Sequence, residues 1–145
     1  MQTRIILGLA ILLNACQSSP EPIEGQAQIS TRNWAIAIHG GAGHFGEESL
    51  SPELQELYTA SLEAALSLGE TQLIAGASAV DVVEVVVRLL EDDSLFNAGR
   101  GAVFTAEGTH ELDASIADGA SRNCGAVTGL NGYRHPISVA RAIMD

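Results

Sequence analysis

The sequence predicts a single α+β domain, and three observations predict it. A short apolar run, Trp34 to Ile38, opens into glycines as a buried strand does. Two segments with helix-capping residues begin at Ser51 and Ser78, and short alternating segments follow from Ala102 onward, punctuated by glycine turns. At 145 residues the chain has room for one such domain.

The first residues stand apart from that domain. "MQTR" supplies a brief positive region, and Ile5 to Leu13 an apolar stretch of nine residues. A membrane-spanning helix needs about 20 apolar residues, so this stretch reads as a signal. "LNAC" follows, with the small Ala15 directly before Cys16, and resembles the lipobox of bacterial lipoproteins. On that reading residues 1–15 are removed and Cys16 is acylated. The alternative is an ordinary secretory signal in which Cys16 is incidental. Two or more acyl chains, at about 0.8 kcal/mol per buried methylene, suffice to anchor a protein. The expected location is the cell envelope, facing the periplasm. Gln17 is not the Asp that favours inner-membrane retention, so the outer membrane is preferred where the host has one. Residues 16–31, rich in Pro, Ser, Gln and Glu, read as a disordered tether, leaving 32–145 as the folded part.

The charge balance excludes one class of partner. Acidic residues outnumber basic ones 18 to 7, the net charge is −11, and every basic residue is Arg. Nucleic-acid binding calls for a basic stripe, and these arginines are scattered.

Ser51 is a good N-cap, with Pro52 at the first helical position, where its missing N–H costs nothing. Leu54, Leu57, Tyr58, Ser61, Leu62, Ala65 and Leu66 then recur at helical steps, and Gly69 and Gly76 interrupt or end the helix. Ser78 with Asp81 is a capping-box variant. Residues 79–91 are Val-rich, as strands are, but the cap and the Glu84/Arg88 spacing favour a helix nearly surrounded by protein. Ala102 to Thr105 reads as a strand, "AEGT" as a turn, and "HELDASIAD" as its hairpin partner. "GAVTGL" is a further strand, and Pro136 opens a last helix carrying Ile137, Ala140, Ile143 and Met144.

The loop "HGGAGHFGEE" carries Gly41, Gly43 and Gly46 at the spacing of a dinucleotide fingerprint. That motif requires a helix beginning within the glycines, to hold a pyrophosphate on its amides. Here Glu47 and Glu48 follow at once, and the helix start waits until Ser51. His39 and His44 lack the i,i+4 spacing of two metal ligands on one helix. No G-x-S-x-G occurs, and with Cys16 acylated Cys124 is a lone packing residue. What remains is a loop whose glycines allow close backbone approach.

"AIHGGAG", "LFNAGRGAVFT", "ELDASIADG" and "GAVTGLNGYRHPISVARAIMD" together resemble the plant-type L-asparaginase/isoaspartyl peptidase family of N-terminal-nucleophile hydrolases, in order over residues 34–145. Glycosylasparaginases, which share the fold, rank second. The resemblance implies the N-terminal part of an αββα four-layer sandwich. It implies a precursor that cuts itself to expose an N-terminal Thr, whose own α-amine acts as base. The expected substrates are L-asparagine and β-aspartyl (isoaspartyl) dipeptides, and the expected assembly is a dimer of α/β units.

Only the N-terminal portion of that precursor is matched, so no nucleophile is assigned. Thr109, after Gly108, and Thr128, in "GAVTGL", are superficial candidates in a turn and a plain strand. The family's "LFNAG" Asn matches Asn97, which would help to place the nucleophile; the alternative is a turn Asn bonding its own backbone. Gly40, Gly41 and Gly43 would be close-approach backbone under the catalytic centre. The loop from Leu90 to Arg100 matches a sodium-binding loop, with Leu90, Glu91, Asp93, Phe96, Ala98 and Arg100 offering main-chain carbonyls. No other cofactor is implied. The chain as given is expected to be inactive alone, and its end inside a helix favours a truncated chain over a short lipid-anchored binding module.

Overall fold

A computed structural model describes residues 33–41 and 50–145; Cys16, the tether, Gly43 and His44 lie outside the described residues. Pro52–Ile74 forms α1, started as expected by Ser51, whose Oγ accepts the Leu54 N–H at 3.3 Å. Gly69 does not interrupt it. A Cβ at that position would stand 2.4 Å from Ile36 Cδ1 and 3.2 Å from Val86 Cγ2. The glycine weakens the helix by about 1 kcal/mol relative to Ala, and in exchange lets two neighbours close on α1. The helix ends at Gly76, with φ +88°. Its N–H donates to Leu73 O and that of Ala77 to Gln72 O, a Schellman closure.

Ala79–Asp92 forms α2. Ser78 Oγ accepts the Asp81 N–H and donates to the Asp81 carboxylate at 2.7 Å, so the cap signal outweighed the valines' strand preference. The expectation that this helix is nearly surrounded needs correcting: Val83 and Leu89 face solvent. Its buried face, Val82 and Val86, meets Ala65 of α1, with Ile36 and Ile38 packed alongside.

Ile36 and Ile38 belong to the run read as a buried strand. The run alternates half-buried and exposed residues with a period of two, yet among the described residues it makes no strand ladder. Among the described residues, Ile36 and Ile38 hold it by packing against the helices.

The sheet is a hairpin of β1, Leu112–Ala117, and β2, Cys124–Leu130, antiparallel with Ile116 opposite Gly125. Near Leu112 the register slips by one residue, and Gly129 there adopts φ +64° while its N–H donates to Asp113 Oδ1 at 2.8 Å. The expected hairpin between Ala102–Thr105 and the following strand is absent. Residues 99–101 form a 3-10 turn, and the Val103 N–H is taken by Asn97 Oδ1 at 3.0 Å. Two backbone bonds, Thr105 N–H to Thr109 O and Gly108 N–H to Thr105 O, close the turn beyond. Val103 and Phe104 are left 68% and 71% exposed.

Pro136–Met144 forms α3, which lays Ile137 and Ala140 onto Ile116 of β1. A Cβ at Gly125 would sit 2.0 Å from Ala140 O, so the helix rests on bare strand backbone. Gly125 is buried and Cys124 beside it points to the opposite, exposed face, which corrects the reading of Cys124 as a packing residue. Polar contacts join α3 to α2: Ser138 Oγ donates to Glu84 at 2.6 Å, and Arg141 reaches Asp81 at 3.0 Å.

Candidate functional site

The glycine turn and the loop after α2 face each other across a cavity of about 610 Å³. On one wall His39 Nδ1 accepts the Gly41 N–H at 3.1 Å, which closes the turn and makes His39 a structural hydrogen-bonding residue. Gly41 has φ +102°, a conformation that favours glycine. Gly40 is close-packed differently: a Cβ there would meet Phe96 Cε1 at 3.3 Å and Leu62 at 3.4 Å. The turn is thus seated against the ring that precedes Asn97.

Leu90, Phe96, Asn97 and Ala98 form the facing wall. Asn97 Oδ1 accepts from Val103, which fixes the amide's orientation, and Nδ2 has no protein partner among the described residues. The side chain does hold backbone, as a turn Asn would, but six residues on rather than within its own turn. Such an arrangement offers a fixed, exposed N–H donor pair at the cavity wall.

Asp93 organises the loop. Its Oδ1 accepts the Leu95 N–H at 2.9 Å, and its Oδ2 accepts from Ser61 Oγ of α1. Tyr58, one helical turn before Ser61, donates its hydroxyl to Leu95 O at 2.6 Å and lies edge-on to the Phe96 ring at 5.6 Å. Sequence reading placed Tyr58 and Ser61 only in the apolar stripe of α1. Their helical spacing gave no sign of a second task, because a packing residue and a loop anchor share the same period.

The residues of the expected sodium set run from the last turn of α2, Leu90 and Glu91, into the loop that follows it. Gly99, at φ +50°, would place a Cβ 2.4 Å from Glu91 O, and Gly101 would place one 2.1 Å from Phe96 O. Both glycines therefore keep space beside main-chain oxygens that a side chain would fill. Leu90, Phe96 and Ala98 each also accept a turn hydrogen bond, from Asp93, Ala98 and Gly101, and a carbonyl has a second lone pair to offer. This oxygen set suits a hard cation in kind. Arg100 is exposed at the loop's end.

The side chain of Glu91 does something the sequence did not reveal. It is only 2% exposed, accepts the Ile137 N–H at 3.0 Å, and meets His135 Nδ1 at 3.2 Å. Its carboxylate thus caps α3 from the end of α2. Burial pushes its pKa up, against the pull of the Ile137 and His135 hydrogen bonds. Of the two superficial threonines, Thr109 sits in an exposed turn bonded to Thr105, and Thr128 lies on β2 beside Asp113.

The family model described as asparaginase matches residues 32–145. The chain belongs to the asparaginase family. It is 51% identical over 112 residues to a probable isoaspartyl peptidase/L-asparaginase 2 of Arabidopsis thaliana, covering 77% of this chain and 34% of that protein. The isoaspartyl peptidase of Escherichia coli (strain K12) is 48% identical over 110 residues, 76% of this chain and 34% of the relative. The plant-type L-asparaginase of Pyrococcus furiosus is 44% identical over 111 residues, 77% and 35% respectively. This asparaginase-family chain spans about a third of the length of the curated relatives it matches.

Proposed function

We propose that this asparaginase-family chain is the N-terminal, α-subunit part of an autoprocessed threonine amidohydrolase that cleaves L-asparagine and β-aspartyl dipeptides. One observation carries the reading: the Gly40–Gly41 turn and the Asn97 loop, singled out separately in the sequence, line the same cavity. The names of the curated relatives support the substrate class. The nucleophilic Thr, and the Arg and Asp that hold the substrate's α-amino acid end, come from a segment beyond residue 145, which completes the four-layer sandwich and pairs as a dimer of α/β units. Asn97 Nδ2 holds that Thr in line with the amide carbonyl, while the terminal amine takes its proton. The glycine turn, free of side chains, leaves the new N-terminus room to sit over its backbone. The main-chain carbonyls of Leu90, Glu91, Asp93, Phe96, Ala98 and Arg100 would hold a sodium ion, which would supply fixed positive charge to order the loop. Acylation at Cys16 anchors the protein in the envelope.

The test assays ammonia or amino-acid release by the complete gene product and by residues 1–145 alone. The complete protein is expected to hydrolyse β-aspartyl dipeptides, and L-asparagine less efficiently, with none from the shorter chain. Cleavage of glycosylated asparagine alone would move the protein to the glycosylasparaginase branch. No hydrolysis by any form would leave a lipid-anchored binding module. Cys16→Ala should release the protein from the membrane fraction; unchanged membrane association would refute acylation at that residue.

A further inference from the structure

We infer that Tyr58 and Ser61 of α1 are positioning residues that set the conformation of the Asn97 loop, and through it the reactivity of the site. The inference rests on the amidohydrolase reading proposed above. Three contacts carry it. The Tyr58 hydroxyl donates to Leu95 O at 2.6 Å, its ring meets Phe96 edge-on, and Ser61 Oγ donates to the Asp93 carboxylate. Leu95 and Phe96 are the two residues that immediately precede Asn97.

The arrangement is a clamp with two jaws. Asp93 is shared, because the carboxylate that accepts from Ser61 also accepts the Leu95 N–H. Leu95 is therefore held at its N–H through Asp93 and at its carbonyl by Tyr58. Both anchors sit one turn apart on the same face of α1, a 23-residue helix whose Ala65 and Gly69 are buried. A loop held this way inherits the rigidity of the helix. Without the clamp, the hydrogen bonds described for the segment from Asp93 to Ala98 all fall within residues 90–103. They are turn bonds from Asp93 to Leu90, Phe96 to Asp93, Ala98 to Phe96 and Gly101 to Ala98, and the bond from Val103 to the Asn97 amide, none of which ties the loop to α1. A donor displaced by a fraction of an ångström changes rate far more than it changes substrate binding.

The experiment uses the complete gene product and two substitutions, Tyr58→Phe and Ser61→Ala, with Thr71→Ala as control. Thr71 bonds its own helix at Ser67 O, remote from the loop, and its loss should leave kcat unchanged. Tyr58→Phe keeps the ring against Phe96 and removes only the hydroxyl. Each clamp variant should lower kcat about tenfold while KM stays within about twofold. Ser61→Thr, which restores the hydroxyl, should recover most of the loss. Amide exchange at Leu95, Phe96 and Ala98 should quicken about fivefold or more, with α2 unaffected.

Unchanged kcat in both variants overturns the inference, as does exchange that quickens equally throughout α1 and α2. If the wild-type protein hydrolyses none of the substrates, the functional reading fails, and the clamp is judged by exchange alone. Quickening confined to 95–98 then upholds it and no quickening rejects it.

Discussion

Two clusters hold the described part of the molecule, and they are built on opposite terms. Around Ala65, Val82 and Val86, two helices and an extended run are joined by side chains, and irregular loops make the cavity. Around Ile116, Ile137 and Ala140, a regular hairpin and a short helix are joined through backbone contact at Gly125. The first region carries the candidate site, and the second serves as its footing. Glycine shows the difference best. At Gly69 the nearest obstacle to a Cβ is the far end of an isoleucine; at Gly125 it is a helix carbonyl.

The largest effect should therefore come from putting a methyl group where only backbone can yield. Gly125→Ala in the complete protein should lower stability by about 3 kcal/mol or more. Gly69→Ala should stay within about 1 kcal/mol of wild type, because Ile36 can swing aside and the helix gains propensity. Urea denaturation of both variants measures the gap; equal losses would remove the contrast between side-chain and backbone packing.

Next in size is the joint between the two regions. Glu91→Ala strips the α3 cap and removes the acceptor of Ile137 N–H and the partner of His135 Nδ1 in a buried place, which should cost about 2–3 kcal/mol. Glu91→Gln keeps an acceptor and should lose less by the same measurement. Ser78→Ala, which removes the α2 cap alone, should cost about 1 kcal/mol. A loss at Ser78 exceeding that at Glu91 would mean the joint matters less than the local cap.

The smallest effect is a signed dependence on pH. Burial raises the Glu91 pKa. Stability linked to it is therefore present below the ordinary glutamate value of about 4.3 and is lost as pH rises through the raised folded value. In the hairpin turn, the Ser121 hydroxyl and the Ala120 and Ser121 amides lower the Asp118 pKa. Its contribution is present above the ordinary aspartate value of about 3.9 and is lost as pH falls. Relative to wild type, Glu91→Gln should gain as pH climbs above about 4.3, whereas Asp118→Asn should gain as pH falls below about 3.9. Denaturation midpoints at several pH values check the two slopes, and slopes of one sign would contradict the assignment.

These regions were not equally legible beforehand. Ser51 and Ser78 announced their helices because each cap is a local bond, written in adjacent residues, and Pro136 announced its own because proline suits the first helical position. Gly40, Gly41 and Asn97 stood out because unusual backbone demands unusual residues. Strand pairing is settled elsewhere: nothing within Ala102–Thr105 reveals that Asn97 takes the Val103 N–H and withdraws it from a ladder. The same blindness hid Tyr58 and the Glu91 carboxylate, whose partners lie 37 and 46 residues away in the chain.

Gly69 carries an evolutionary implication. The atom that crowds a methyl group there is Ile36 Cδ1, at 2.4 Å, which valine lacks. Ile36→Val alone opens a gap, and Gly69→Ala alone forces a shift, so either step taken singly loses packing. Taken together they exchange one methyl group across the contact and restore helix propensity. In lineages descended from a common ancestor, positions 36 and 69 should change in step, although 33 residues separate them.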